Sequence, residues 1–339
     1  MQPVSQLYNQ LHTPKNSTIV MHQKPDGDAM GSSLGLYHFL QQLGHNVTVI
    51  SPTNWASFLS WMPGCSIVLN FEQQQDNIKA LEVLQATEWL FCLDFNVLHR
   101  TKNMESILLQ LPCTKILIDH HQQPAIEQFQ FGISNTAKSS TCEMVYDFIM
   151  ASGYENKINT IVAQCLYTGV MTDTGAFRFS TTTASVHRMV AHLKEKEINH
   201  TAIHEFIFEN FLENRLRFLG YVLLHKLVIS YEYNTALMAI SKAEILEYNI
   251  QTGDTEGIVN YAFGIKGIKL CALIVEREGE IRCSFRSKND FDVNVFARKY
   301  FNGGGHQNAA GGVSNDSLVI TVDRFWKAIE ENALQLREV

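Results

Sequence analysis

The sequence predicts an α/β protein of two domains: a parallel-sheet domain over residues 1–185, a helical linker over 186–225, and a smaller α/β domain over 226–339. Three observations carry this. From Ser17 to about Thr174, short β-rich runs alternate with amphipathic helical stretches, the rhythm of parallel strands joined by crossovers. Residues 186–197 are then helical and highly charged, and 203–224 aromatic and apolar, which marks a connection. From Leu227 a different pattern begins, with β-runs and one tight hairpin.

In the first domain, strands are expected at 17–21, 47–50, 89–93 and 115–118, each a β-branched or apolar run closed by turn residues. The first helix, 29–43, carries Leu36, Leu40 and Leu43 on one face and stops at Gly44, suited to a left-handed cap. Helices at 141–150 and 157–170 follow, then a β-like run at 177–180. In the second domain, β-runs fall at 227–233 and 236–241. A hairpin over 268–286 turns near Glu278 and Gly279. A helix at 293–301, a β-run at 318–322 and a closing helix complete the chain.

Composition excludes several function classes. A formal charge of −7 argues against a broad basic surface for long duplex nucleic acid, so any phosphate recognition must be local. No stretch approaches the roughly 20 apolar residues of a membrane span, and no basic-then-apolar leader opens the chain, so a cytoplasmic protein is expected. The seven cysteines are scattered, with no Cys-x-x-Cys pair, and are expected as reduced core residues. Thirteen histidines, several beside aspartates, direct attention to metal.

Four acidic clusters fall at element ends. His22, Asp26 and Asp28 follow the first strand; a lone Asp-x-Asp is usually a turn, but the preceding histidine adds a nitrogen to two carboxylates, a mixture that suits manganese. Asp94 ends an apolar strand, where by itself it would read as a cap or turn former. Asp119, His120 and His121 end another. Adjacent residues of an extended segment point to opposite sides, so one histidine should be a ligand and the other should face substrate. Asp173, before Thr174 and Gly175, closes a helical pattern. In an open parallel sheet, ligands bind beyond the carboxyl ends of the strands, where these clusters would converge. Like charges so gathered repel by several kcal/mol and need cations. Two ions about 3.5–4 Å apart, sharing one carboxylate, suit displacement at phosphorus.

This series, His-x-x-x-Asp-x-Asp, a lone Asp, Asp-His-His and Thr-Asp-x-Gly, resembles the DHH phosphoesterase superfamily, and the glycine-rich end is similar to its DHH-associated C-terminal domain. The match covers nearly the whole chain. Order and spacing most resemble the nanoRNases, bifunctional enzymes that hydrolyse short oligoribonucleotides and remove the 3′-phosphate from pAp. The resemblance implies that His22, Asp26 and Asp94 bind one Mn2+, and that Asp28, Asp94, His120 and Asp173 bind a second, with Mg2+ or Co2+ as substitutes. Asp94 would bridge the ions. Asp119 would orient His120, and His121 would bond the scissile phosphate or the leaving oxygen.

Residues 282–312 hold Arg286 and the run Gly303, Gly304, Gly305, His306 inside a folded pattern. Glycine lets backbone approach an anion, successive amides can form a phosphate nest, and Arg286 and His306 can add side-chain donors. The resemblance makes this a clamp for the substrate end opposite the metals, with the active site in the cleft between domains and closure about the linker. Such a clamp rejects long substrates. A cyclic-dinucleotide or pGpG phosphodiesterase, a manganese pyrophosphatase and a non-catalytic nucleotide-binding module are the alternatives, and a homodimer is left open.

Overall fold

The computed structural model describes residues 1–251 and 253–337 and divides into two compact units, Met1–Asn210 and Phe211–Val339. Unit 1 is built on a seven-stranded parallel sheet of β1 (Gln2–Pro3), β2 (Asn16–Val20), β3 (Asn46–Ser51), β4 (Leu69–Asn70), β5 (Trp89–Leu93), β6 (Thr114–Asp119) and β7 (Phe131–Ser134), in the order β1-β7-β6-β5-β2-β3-β4. The central strands are buried on both faces, as a parallel sheet requires. Ile19, Phe91, Leu93, Ile116 and Ile118 face one core, while Val20, Leu90, Cys92 and Leu117 face the other.

Helices cover both faces. α1 (Gly27–Gln42), α4 (Thr141–Ala151), α5 (Thr160–Asp173), α6 (Ala184–Lys194) and α7 (His200–His204) contribute to the first core, and α2 (Gln74–Ala86) and α3 (Glu105–Gln110) to the second. From β2 the chain runs outward to β3 and β4, then returns to β5 and runs the other way. The strand order therefore reverses between β2 and β5, the place where open α/β sheets bind ligands. α1 lies close to α5 through small residues: a Cβ on Gly31 would meet the Cys165 carbonyl at 2.6 Å, and one on Gly169 would meet the Asp28 Cα at 3.0 Å.

Unit 2 carries a mixed six-stranded sheet of β8 (Leu227–Ser230), β9 (Thr235–Ile240), β10 (Leu270–Arg277), β11 (Glu280–Ser287), β12 (Gly304–His306) and β13 (Ala309–Ser314), in the order β12-β13-β11-β10-β9-β8. One face packs on α10 (Val293–Tyr300) and α11 (Leu318–Glu331) through Phe285, Phe296 and Phe325. The other packs on α8 (Glu213–Tyr221) through Met238, Cys271 and Phe218. α9 (Lys242–Glu247) and α12 (Ala333–Arg337) complete the unit.

Two predicted β-runs are corrected. Residues 318–322 begin α11 instead of forming a strand: Ser317 accepts a bond from the Ile320 N–H, and Thr321, Phe325, Ala328 and Ile329 bury at helical spacing. Tertiary periodicity overrides the β-branched composition. Residues 177–180 form no strand either; the chain turns there, with Ala176 at φ +58° and Phe177 at φ +66°. The segment read as a linker is divided between the cores: Val186, Met189 and Leu193 bury in unit 1, Phe218 and Val222 in unit 2. Among the described residues, no helix is long and apolar enough to cross a membrane. All seven cysteines are free.

Candidate metal centre

The four acidic clusters converge at one rim of the parallel sheet. Two sets of ligand atoms come together there, His22 with Asp26 and Asp94, and Asp28 with His120 and Asp173; within each set the atoms lie within 4.8 Å of one another. A third set joins Asp94, Asp119 and His121. The switch between β2 and β5 brings the first and second clusters together, β6 adds the third, and the close α1–α5 packing delivers Asp173 at the end of α5.

Asp94 is the hinge of the arrangement. Its Oδ2 lies 3.4 Å from His22 Nε2 and its Oδ1 3.4 Å from His120 Nε2, so the two carboxylate oxygens face different imidazoles. The residue is buried and sits at φ +63°, a left-handed conformation uncommon outside glycine. Such outliers persist where the surroundings over-determine them, and they concentrate at functional sites. Thr141 Oγ1 donates to Asp94 Oδ1 at 2.9 Å and fixes that oxygen.

The remaining groups are held as firmly. His22 Nδ1 donates to the Gln23 carbonyl at 2.8 Å, which turns Nε2 toward Asp94 and 4.0 Å from Asp26 Oδ1. Asp26 also caps α1, accepting from the Asp28 and Ala29 N–H groups. Asp28 accepts the backbone N–H of Thr141 at 2.6 Å and of Cys142 at 2.9 Å, at the start of α4. His120 Nε2 lies 3.7 Å from Asp28 Oδ2 and 3.5 Å from Asp173 Oδ2. Thr141 and Cys142 thus place two of the three carboxylates that lie within 4.0 Å of His120 Nε2.

Two expectations for the Asp-His-His cluster are corrected. Asp119 was expected to orient His120; its Oδ1 instead receives His121 Nδ1 at 2.6 Å, while His120 Nδ1 faces the Lys138 carbonyl at 3.4 Å. The two histidines were also expected on opposite sides. Because the chain leaves the strand after Asp119, their rings lie 4.9 Å apart, and His121 Nδ1 is 3.8 Å from the same Asp94 oxygen that faces His120.

Electrostatics mark the site as built for cations. Burial, with the charges of Asp94 and Asp173, pushes the Asp28 carboxyl well above its usual range. Burial would raise Asp94 too, but its bonds to His120 and His22 hold it well below. For His120, burial is overcome by the bond to Asp94 and the charge of Asp173, which raise it well above the usual imidazole range. For His121, burial wins over the opposing pull of Asp119 and lowers the pKa.

In unit 2, Arg286 and His306 both pair with Ala309, on β11 and β12 respectively, so the three side chains share one row and one sheet face with the small alanine between. The expected nest of amides is corrected. The Gly303 N–H donates to the Ala297 carbonyl at 3.2 Å and the Gly305 N–H to Asn294 Oδ1 at 3.0 Å. These glycines serve close backbone packing: a Cβ would meet the Gly311 carbonyl at 1.9 Å from Gly303 and the Ala309 carbonyl at 2.4 Å from Gly305.

The model of the DHH family N-terminal domain matches residues 16–170, and that of the DHHA1 domain matches 234–334. A crystal structure of an exopolyphosphatase-related protein from Bacteroides fragilis is 36% identical, with a TM-score of 0.92 over 98% of this chain and 97% of that one. The bifunctional oligoribonuclease and PAP phosphatase NrnA of Bacillus subtilis is 28% identical over 87% of this chain and 88% of its own. Its namesake from Thermus thermophilus is 27% identical over 92% and 89%. The chain belongs to the DHH family of phosphoester hydrolases, with a DHHA1 domain following its DHH domain.

Proposed function

We propose that the chain is a cytoplasmic, manganese-dependent hydrolase that cleaves short oligoribonucleotides to mononucleotides and converts pAp to AMP and phosphate. The observation that carries the reading is the divided Asp94 carboxylate, one oxygen toward His22 and the other toward His120. His22, Asp26 and Asp94 would hold one Mn2+, and Asp28, Asp94, His120 and Asp173 the other, with Mg2+ or Co2+ as substitutes. The donor set fits: mixed carboxylate and imidazole ligands suit manganese, and the buried like charges call for cations. Bound there, a metal pair supplies a water acidic enough to lose its proton near neutral pH.

The chain's own residues do the rest. Asp119 holds His121 by Nδ1 and fixes the orientation of the ring, so that His121 would stand at the scissile phosphate or the departing ribose oxygen. Thr141 and the start of α4 keep Asp94 and Asp28 in place. In the substrate domain, taken as residues 226–339 and joined through 186–225 to a catalytic domain over 1–185, Arg286 and His306 flank Ala309 and would grip a terminal phosphate beside the Gly303–Gly305 backbone. A terminal clamp gives an acidic protein nucleotide chemistry without a basic surface for long duplexes.

The test is product analysis. Labelled dinucleotide, pentanucleotide and pAp, with pyrophosphate and a cyclic dinucleotide alongside, are incubated with the manganese-loaded protein. Mononucleotides from the dinucleotide and AMP from pAp are expected. Rapid turnover of pyrophosphate with none of pAp or dinucleotide would instead favour an inorganic-phosphate substrate, the reading the Bacteroides fragilis neighbour's description suggests. Tight pAp binding without phosphate release would favour a binding module.

A further inference from the structure

The chain beyond Asp173 adopts a conformation that L-residues avoid. Gly175 (φ +58°), Ala176 (φ +58°) and Phe177 (φ +66°) are consecutive in the left-handed region, although only the first is glycine. Such a run survives where neighbouring bonds over-determine it. Thr174 supplies them. Its buried hydroxyl donates to the Val170 carbonyl at 2.6 Å and accepts the Phe177 N–H at 3.1 Å, while its carbonyl accepts the N–H groups of Arg178 and Phe179, both at 3.0 Å. The Ala176 N–H returns to the Met171 carbonyl at 2.8 Å.

The turn fixes one large apolar side chain in the open. The Phe179 ring lies directly over Gly175, where a Cβ would stand 2.5 Å from its Cζ, yet the residue is 42% exposed and meets no other ring among the described residues. Phe177, by contrast, turns inward against Tyr167 at 5.8 Å. Arg178 is exposed on the same turn and tied by Nε to the Gly175 carbonyl at 2.7 Å, which keeps a positive charge beside the ring. A single exposed phenylalanine is ordinary on a protein surface. One lodged on a strained turn, with its ring seated on a glycine, is a preorganised flat platform on the turn that leads out of the metal centre, six residues after Asp173.

We infer that Phe179 is the stacking platform for the nucleobase next to the scissile phosphate, with Arg178 beside that nucleotide's backbone. Aromatic faces accept any base, so such a platform would serve short oligonucleotides of any sequence. The inference rests on the nucleotide reading above and names the residue that would make that reading work.

The experiment compares kcat and KM for the dinucleotide pApA and for its counterpart with an abasic sugar next to the cleaved bond, in the manganese-loaded full chain and its F179A, F179L and F179W variants. Stacking predicts that the preference for pApA over the abasic substrate, expressed as kcat/KM, falls on the order of tenfold in F179A. The fall should lie in KM, F179L should lose as much as F179A, and F179W should restore the preference. In parallel, a phosphorothioate dinucleotide carrying 2-aminopurine should lose fluorescence on binding the wild type and F179W but not F179A. Unchanged base preference and unchanged quenching in F179A, with wild type cleaving pApA, would overturn the assignment and leave the nucleotide reading standing. Wild type that does not cleave pApA at all would remove both.

Discussion

At the residue scale the account turns on Asp94, the side chain that both proposed ligand sets share. Its replacement removes an oxygen from each, so Asp94→Ala should abolish turnover of every substrate, pAp and dinucleotide alike, in a phosphate-release assay. Loss confined to one substrate would contradict a shared role. Arg286 predicts a different signature: Arg286→Ala should raise KM for pAp by roughly tenfold or more, as expected when a charge-assisted bond is lost, with a much smaller effect on a generic aryl phosphodiester. Equal losses on both would count against a terminal clamp. For the Asp119–His121 pair, His121→Ala should lower kcat by on the order of 100-fold, the lower range for a lost acid–base group at the leaving side, and Asp119→Asn by less.

At the element scale, strands with two buried faces were readable and short edge pieces were not. The runs at 89–93 and 115–118 announce themselves because a parallel sheet needs apolar residues on both sides. β1 and β4, two residues each, leave no periodicity to read. The run at 318–322 was misleading because a β-branched segment can begin a helix when a cap precedes it and a core lies on one face. Ser317→Ala, which removes that cap, should destabilise unit 2 by about 1 kcal/mol in urea unfolding. In the same unit Glu244 closes a capping box with Ser241, accepts Tyr221 Oη at 2.5 Å and pairs with Lys226 at 2.6 Å. Despite opposing burial, these bonds lower its pKa from 4.5 to about 2. The bonds favour the ionised form in the folded state, so their stabilisation is complete above the ordinary carboxyl range and is lost as pH falls from 4.5 toward 2. Thermal melts of wild type should show that loss, and Glu244→Gln should flatten it.

At the scale of the whole molecule, the candidate centre was legible because its residue types are few and each stands at an element's end. The part of each cluster in holding an ion came from the resemblance to the DHH superfamily, and the clusters could be named from the residues themselves. What held them could not: Thr141 and Cys142 act through backbone and hydroxyl groups, and the pairing of Asp119 with His121 depends on how the chain bends after β6. The close approach of α1 to α5 had a sequence trace in Gly27, Gly31 and Gly35, one small residue every fourth position on a helix. The gathered charge also has a consequence for stability. A cation present at a hundredfold its dissociation constant stabilises the folded chain by about 2.7 kcal/mol per site, so Mn2+ should raise Tm by several degrees and a chelator should reverse it.

The most direct measurement is electron paramagnetic resonance of the protein titrated with Mn2+, alongside a count of ions bound per chain. A carboxylate shared between two adjoining sites predicts two ions per chain with the spectrum of a spin-coupled pair, and loss of that coupling in Asp94→Ala. One ion per chain, or two with independent spectra, would contradict it.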